Sequence, residues 1–191
     1  MNNTLQTDVR TKGDIRTPLA AVLMQGGKPV DLAGKTVNVI IETASGGAKQ
    51  AATATGVSIH PTFTVVASAT GARLTANDHR VTKGMQVVFA TDGTLPSGLT
   101  AATRYFARDV EDNSFRVAAT KDGPAIDLAS AGSGNHTAFI VGSVTYTFTA
   151  GNLDTEGTFW LWFRVIESGN GDSFPHDGNK LKIDVVNGPN A

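Results

Sequence analysis

The sequence predicts an all-β chain, and three observations carry that reading. Short segments alternate apolar and polar residues at the two-residue period of a strand, as in Thr36-Val37-Asn38-Val39-Ile40-Ile41. They are punctuated by turn signals such as Gly26-Gly27, Asp92-Gly93, Asp112-Asn113 and Asp122-Gly123. Glycine adopts left-handed backbone freely, and Asn and Asp tolerate it. Nowhere do ten consecutive residues hold a helical period.

Composition agrees. The 191 residues fit one or two domains, each long enough for a core. Apolar residues make up 40% and charged residues 17%, a profile of ordered β-proteins rather than of disorder. A net charge of −1 without a basic block gives no phosphate-tracking surface, so no nucleic-acid partner is expected. The chain has no cysteine, which excludes disulfides and thiolate metal sites. The start, Met1-Asn2-Asn3-Thr4-Leu5-Gln6, lacks the basic flank and apolar core of a signal peptide. No apolar run approaches the ~20 residues of a membrane span. The expectation is a soluble protein made in the cytoplasm, without a membrane partner.

The elements follow in order. Residues 1–12 are polar and aperiodic, and read as an arm that orders on a partner. A strand is expected over Thr17–Met24, then a turn at Gly26-Gly27-Lys28-Pro29, then the alternating strand around Val37, Val39 and Ile41. The Ala/Gly/Thr-rich stretch 44–56 reads as loop, since Gly46 and Gly47 oppose a helix start. Strands follow at Phe63–Ala67, Arg73–Ala76, Gln86–Ala90, Arg104–Val110, Ser114–Ala119 and His136–Val141. Beyond them the style of the opening returns, at Val144–Phe148, Thr158–Ile166 and Leu181–Val185. The two ends thus read as halves of one domain, 1–57 with 142–191, interrupted by a β-module at 58–141. Together the halves approach the roughly 100 residues of an immunoglobulin-like β-sandwich. Loops at a sandwich rim accept long insertions because closure entropy grows slowly with length.

Candidate catalytic residues are few. Gly171-Asp172-Ser173 and Gly134-Asn135-His136 look superficially like blocks of a Ser/Asn/His esterase. Such enzymes place the nucleophile at a strand-to-helix turn, and no helix is predicted here. Ser173, His176 and Asp177 are too close along the chain for an easy triad. The four histidines, His60, His79, His136 and His176, lack short ligand spacing and read as exposed loop residues. Asp109, Glu111, Asp112 and Asn113 have oxygens for calcium but no EF-hand pattern, and read as turn residues. No catalytic residue, metal site or cofactor is expected. A glycan-degrading activity is the weakest alternative, with no aromatic-lined groove beside a carboxylate pair.

The segment Thr158–Ile166 stands apart because both of its alternate sets are apolar. Phe159, Leu161, Phe163 and Val165 fit an inward face, which puts Trp160, Trp162, Arg164 and Ile166 on the other. A strand apolar on both sides is covered on both sides. Tryptophan and arginine are also enriched at interface hot spots. Cover by a partner and cover by another part of the same chain both remain open, and the four residues form the candidate partner interface.

Two sets of motifs resemble known families. Lys12-Gly13-Asp14, Gly27-Lys28-Pro29-Val30-Asp31-Leu32-Ala33-Gly34, Val144-Thr145-Tyr146-Thr147-Phe148, Glu156-Gly157-Thr158-Phe159 and Ser173-Phe174-Pro175 occur in that order. Their order resembles the N-terminal immunoglobulin-like domain of phage baseplate upper proteins. In the middle stand Gly84-Met85-Gln86-Val87-Val88-Phe89, Gly93-Thr94-Leu95-Pro96-Ser97-Gly98-Leu99, Tyr105-Phe106-Ala107 and Asn113-Ser114-Phe115-Arg116-Val117-Ala118. This set is similar to a β-module of phage tail and fibre proteins. The resemblance implies a non-enzymatic structural component of a tailed bacteriophage virion, in the tail, baseplate or neck. Its partners would be other virion proteins and copies of itself. The alternatives are a capsid decoration protein and, in another class, a host-receptor or carbohydrate-binding module meeting a host surface glycan.

Overall fold

The computed structural model describes residues 7–44, 50–53, 57–68, 72–174 and 180–187, with backbone only for Thr7 and residues 50–53. Among them there is no helix, and the chain is all-β. It divides into two compact units, one of Met1–Ile59 with Gly142–Ala191 and one of His60–Val141. Strands β1 (Thr7–Thr11), β2 (Leu19–Val22), β3 (Met24–Gln25), β4 (Lys28–Pro29), β5 (Thr36–Thr43), β6 (Gln50–Thr53) and β7 (Val57–Ile59) precede the second unit. That unit holds β8 (Phe63–Ser68), β9 (Arg73–Thr75), β10 (Gln86–Thr91), β11 (Arg104–Glu111), β12 (Ser114–Ala118) and β13 (His136–Ile140). Strands β14 (Ser143–Tyr146), β15 (Gly157–Glu167), β16 (Asn170–Phe174) and β17 (Leu181–Val186) complete the first.

The first unit is built from a large sheet in the order β1-β17-β15-β5-β6, with β16 also on β15, and a small sheet β2-β14-β7. Their inward residues meet in one core. Val37, Val39 and Ile41 of β5, Phe159, Leu161, Phe163 and Val165 of β15, and Ile183 and Val185 of β17 pack with Val144 and Tyr146 of β14. Alternation explains the layering, because successive side chains of a strand point to opposite faces and only the apolar set gains by leaving water. Tyr146 is fully buried, and its hydroxyl donates to Asn152 Oδ1 at 2.8 Å, satisfying the one polar atom it carries inward. Its burial raises the phenol's pKa.

Three expectations about this unit need correction. Residues 7–11, expected within a polar arm, form β1 and pair in parallel with β17. The pattern looked aperiodic because the inward position is Arg10, which is buried. Its guanidinium lies 4.5 Å from the Phe148 ring centroid, donates to the Thr17 carbonyl, and meets Asp8 Oδ2 at 2.7 Å. Residues 1–6 lie outside the described residues. The 44–56 stretch, expected as loop, contains β6, paired with β5 through an irregular register between Val39 and Ile41. Finally, Gly171-Asp172-Ser173 lies not in a loop but on β16, which returns along β15 after the two-residue turn Ser168-Gly169. Both turn residues have positive φ, at 49° and 85°, as a type I′ hairpin requires.

The second unit is a closed barrel in the order β10-β11-β12-β9-β8-β13. Closure leaves no unpaired strand edge. Val65, Leu74, Val87, Phe89, Phe115, Val117 and Ala138 are among the residues buried inside it. The Asp92 carboxylate ties two loops, accepting from Asn135 N at 2.6 Å and Asn135 Nδ2 at 2.9 Å. Gly134 (φ 80°) must be glycine there, because a Cβ would collide with Asp92 Oδ1 and the Gly93 backbone. The side-chain hydrogen bond from Asn135 is the main cause holding the Asp92 carboxyl below its usual pKa.

Leu161→Ala, at a fully buried position of β15, should cost about 2–5 kcal/mol in urea unfolding. A depressed carboxylate contributes stability that is full above its unfolded pKa and is lost as pH falls through the folded one. Asp92→Asn should therefore weaken the second unit at neutral pH and flatten its acid-induced loss below about pH 4, followed by urea melts across that range.

Candidate interaction face

The outer face of the large sheet is organised around β15. Trp160, Trp162, Arg164 and Ile166 project from it, opposite the buried set, and the two indoles and Ile166 are half-buried. Register fixes their neighbours. Trp160 stands between Lys182 of β17 and Glu42 of β5, Trp162 beside Ile40, and Arg164 between Ser173 and Asn38. The exposed Val9 of β1 and Val186 of β17 add apolar surface at the margin.

An ion pair crosses this surface. Lys180 Nζ sits 4.1 Å from the Trp162 ring centroid and donates to Glu42 Oε2 at 2.5 Å. Lys180 precedes β17 and Glu42 lies on β5, with β15 between them, so the two side chains bridge the tryptophan strand. The ammonium gains both the carboxylate and the negative face of the indole. Cover of the tryptophan face thus comes in part from this chain. On the same face Lys182 Nζ donates to Asp184 Oδ2 at 2.7 Å and Thr158 Oγ1 to Asp184 Oδ1 at 2.6 Å. The Lys182 hydrogen bond first, and the Thr158 one second, hold the Asp184 carboxyl below its usual pKa. Arg164 lies over Gly171, where an added Cβ would come within 2.5 Å of its Nε.

The candidate catalytic residues are divided between the two units or lie outside the described residues. Ser173 is exposed on β16, opposite Arg164, in the first unit, whereas His136 belongs to the second. His176 and Asp177 lie outside the described residues. His79 and His136, expected to be exposed, are 5% and 6% exposed. His79 Nδ1 accepts from Val81 N at 2.9 Å, so Nε2 carries the proton and donates to the Glu111 carbonyl at 3.0 Å. His136 reaches Thr91 Oγ1 at 2.9 Å and the Ala131 carbonyl at 3.0 Å. His60 stacks on Phe139 with centroids 4.6 Å apart. These rings close loops onto the barrel.

Two members of the acidic group, Asp109 and Glu111, are engaged in ion pairs. Glu111 meets Arg73 Nη2 at 2.9 Å, and Asp109 meets Arg108 Nε at 3.2 Å. Asp109, at φ 46°, stands where the β11–β12 register shifts, which is a bulge rather than a ligand loop. Among the described residues no three His, Asp or Glu side chains converge on a common point. A cleft of about 480 Å³ in the second unit, lined by Asp78, His79, Arg80, Glu111 and Asp112, has its histidine committed to backbone partners. No family model, curated protein or solved structure matches the chain.

Reading alternate positions of Thr158–Ile166 was enough to place both tryptophans on the outer face. Glu42, Lys180 and Lys182 were missed, because only pairing register shows that they flank the tryptophans. Lys180→Ala should raise quenching of the indole fluorescence by a soluble quencher. It should lower stability by no more than about 1 kcal/mol, as expected of a partly exposed ion pair, read by thermal melting.

Proposed function

We propose that this chain is a non-enzymatic structural component of a tailed bacteriophage virion, acting by protein–protein contact in the tail, baseplate or neck. The first unit would be an immunoglobulin-like scaffold and the second an inserted β-module. The observation that carries the reading is the outer face of β15. Two tryptophans, an arginine and an isoleucine stand together on a paired, rigid sheet, with their charged neighbours already ordered by mutual contacts. Large aromatic area on a preorganised surface is the chemistry of an interface hot spot.

The motifs behind the family resemblance fall on framework positions, which supports the same reading. Leu32, Tyr146, Phe148, Phe159 and Phe174 are buried in the first unit, and Gly27 and Gly34 hold positive φ at turns. Phe89, Tyr105 and Phe115 are buried in the second unit, where Gly84 and Gly98 likewise have positive φ. What resembles the phage families is therefore the set of residues that builds the units, as expected where the shared property is an architecture.

Trp160→Ser/Trp162→Ser removes the apolar surface while leaving the inward set of β15 intact. Burying a large apolar side chain contributes roughly 1.5–3 kcal/mol, so loss of both should abolish stable docking. The double variant should fold, shown by an unchanged far-ultraviolet spectrum and cooperative melting, yet be absent from purified virions. A folded double variant that enters particles at the parental level would overturn the reading.

A further inference from the structure

We infer that the outer face of β15 is closed by a second copy of this chain, packed face to face about a two-fold axis running close to β15. The inference rests on the proposed role of this face as an interaction surface and names its partner. The charge pattern across the sheet selects that partner.

One row of that face reads Lys182, Trp160, Glu42 from β17 through β15 to β5. The row is charged positively on one side and negatively on the other, with an indole between. Lys182 also holds Asp184 of its own strand, and an ammonium with three donors can keep that carboxylate while reaching a second one. The next row has Trp162 in the middle, Ile40 on the β5 side, and Lys180 reaching over the indole from the β17 side. A two-fold axis along the strand exchanges left for right and turns the face over. Lys182 of one copy then lies over Glu42 of the other, twice, while the Trp160 residues meet near the axis. The stem of Lys180 lies over Ile40 of the second copy, where its methylenes cover apolar surface. A carboxylate can accept several hydrogen bonds, so Glu42 can retain Lys180 while taking Lys182 from the second copy. A two-fold axis across the strands through this row would instead place Lys182 over Lys182 and Glu42 over Glu42. With the axis along β15, the one lysine that nears its own copy is Lys180, already neutralised by Glu42.

The size is adequate. The six strands of this sheet hold 39 residues, which at about 3.4 by 4.8 Å each cover roughly 640 Å² per copy. Two such faces bury roughly 1,300 Å², within the range of specific interfaces. Sheets packed in this way align their strands within about 30°, a rotation that long lysine side chains can follow.

Charge reversal tests the pairing on the full chain. The wild type should sediment as a dimer. Glu42→Lys places lysine over lysine, and Lys182→Glu places glutamate over glutamate, so each variant alone should be monomeric. An equimolar mixture restores both pairs and should form a heterodimer, read by sedimentation and by native mass spectrometry. Circular dichroism of each variant establishes that it is folded. Trp160→Ser/Trp162→Ser should also be monomeric. A wild type that stays monomeric up to about 1 mM overturns the inference, as does a mixture that fails to associate when both variants are folded. In the first case, absence of the tryptophan variant from virions would still sustain the structural role and assign the face to a different virion protein. A dimer that forms as inferred, with the tryptophan variant still entering virions, would sink the virion role and leave the dimer standing.

Discussion

Strand β15 is hydrogen-bonded along both edges and apolar on both faces, and the first unit is arranged to meet those demands. Its edges are taken by β5 on one side and by β16 and β17 on the other. Its inward set fills the middle of the core, where Leu161 and Phe163 are almost fully shielded. The outward set would leave two indoles in water, and the chain answers with the Lys180–Glu42 bridge across them. A strand of this type normally lies beneath another layer. The bridge is a thin layer made of two side chains, and it leaves the face only half-buried.

The second unit solves its polar problem differently. A closed barrel has no edges to protect, so its liabilities are the loops that join the strands. Several of the described loops are fastened by a side chain that satisfies backbone groups. His79 serves Val81 and Glu111, Asp92 serves Asn135, and Arg108 donates to the Gly123 carbonyl. These are the residue types that would attract attention as acids, bases or ligands. Their hydrogen-bond partners are mostly main-chain atoms of neighbouring loops, which makes them fastenings.

How much of this was legible in the sequence depended on side-chain size and on register. β5, β17 and barrel strands such as β8 and β12 alternate apolar residues with polar ones, so period two finds them, while β15 shows itself as a run apolar on both sets. β1 escapes because Arg10 occupies its inward position, stabilised by Phe148 and the Thr17 carbonyl rather than by apolar character. β16 escapes because Asn170, Gly171, Asp172 and Ser173 are all exposed, so only Phe174 marks the inward side. β6 is read as loop because its segment, Gln50-Ala51-Ala52-Thr53, has no large residue to alternate. The candidate face was half legible. Period two places Trp160, Trp162, Arg164 and Ile166 together, but Glu42 and Lys182 join them through pairing between segments far apart in sequence.

That remoteness has a consequence for the order in which the chain can fold as it is synthesised. β15 needs β5, β14 needs β7, and β1 needs β17, so the first unit cannot close until nearly the whole chain exists. The second unit is contiguous and needs nothing outside itself for its six strands. Its first and last strands, β8 and β13, are hydrogen-bonded neighbours, so a formed barrel holds the flanking segments close together. The entropy of closing a long intervening loop is then already spent before β7 meets β14. The barrel acts as a folded clasp on the nascent chain, and the slow, long-range pairing of the first unit begins from ends already held near one another.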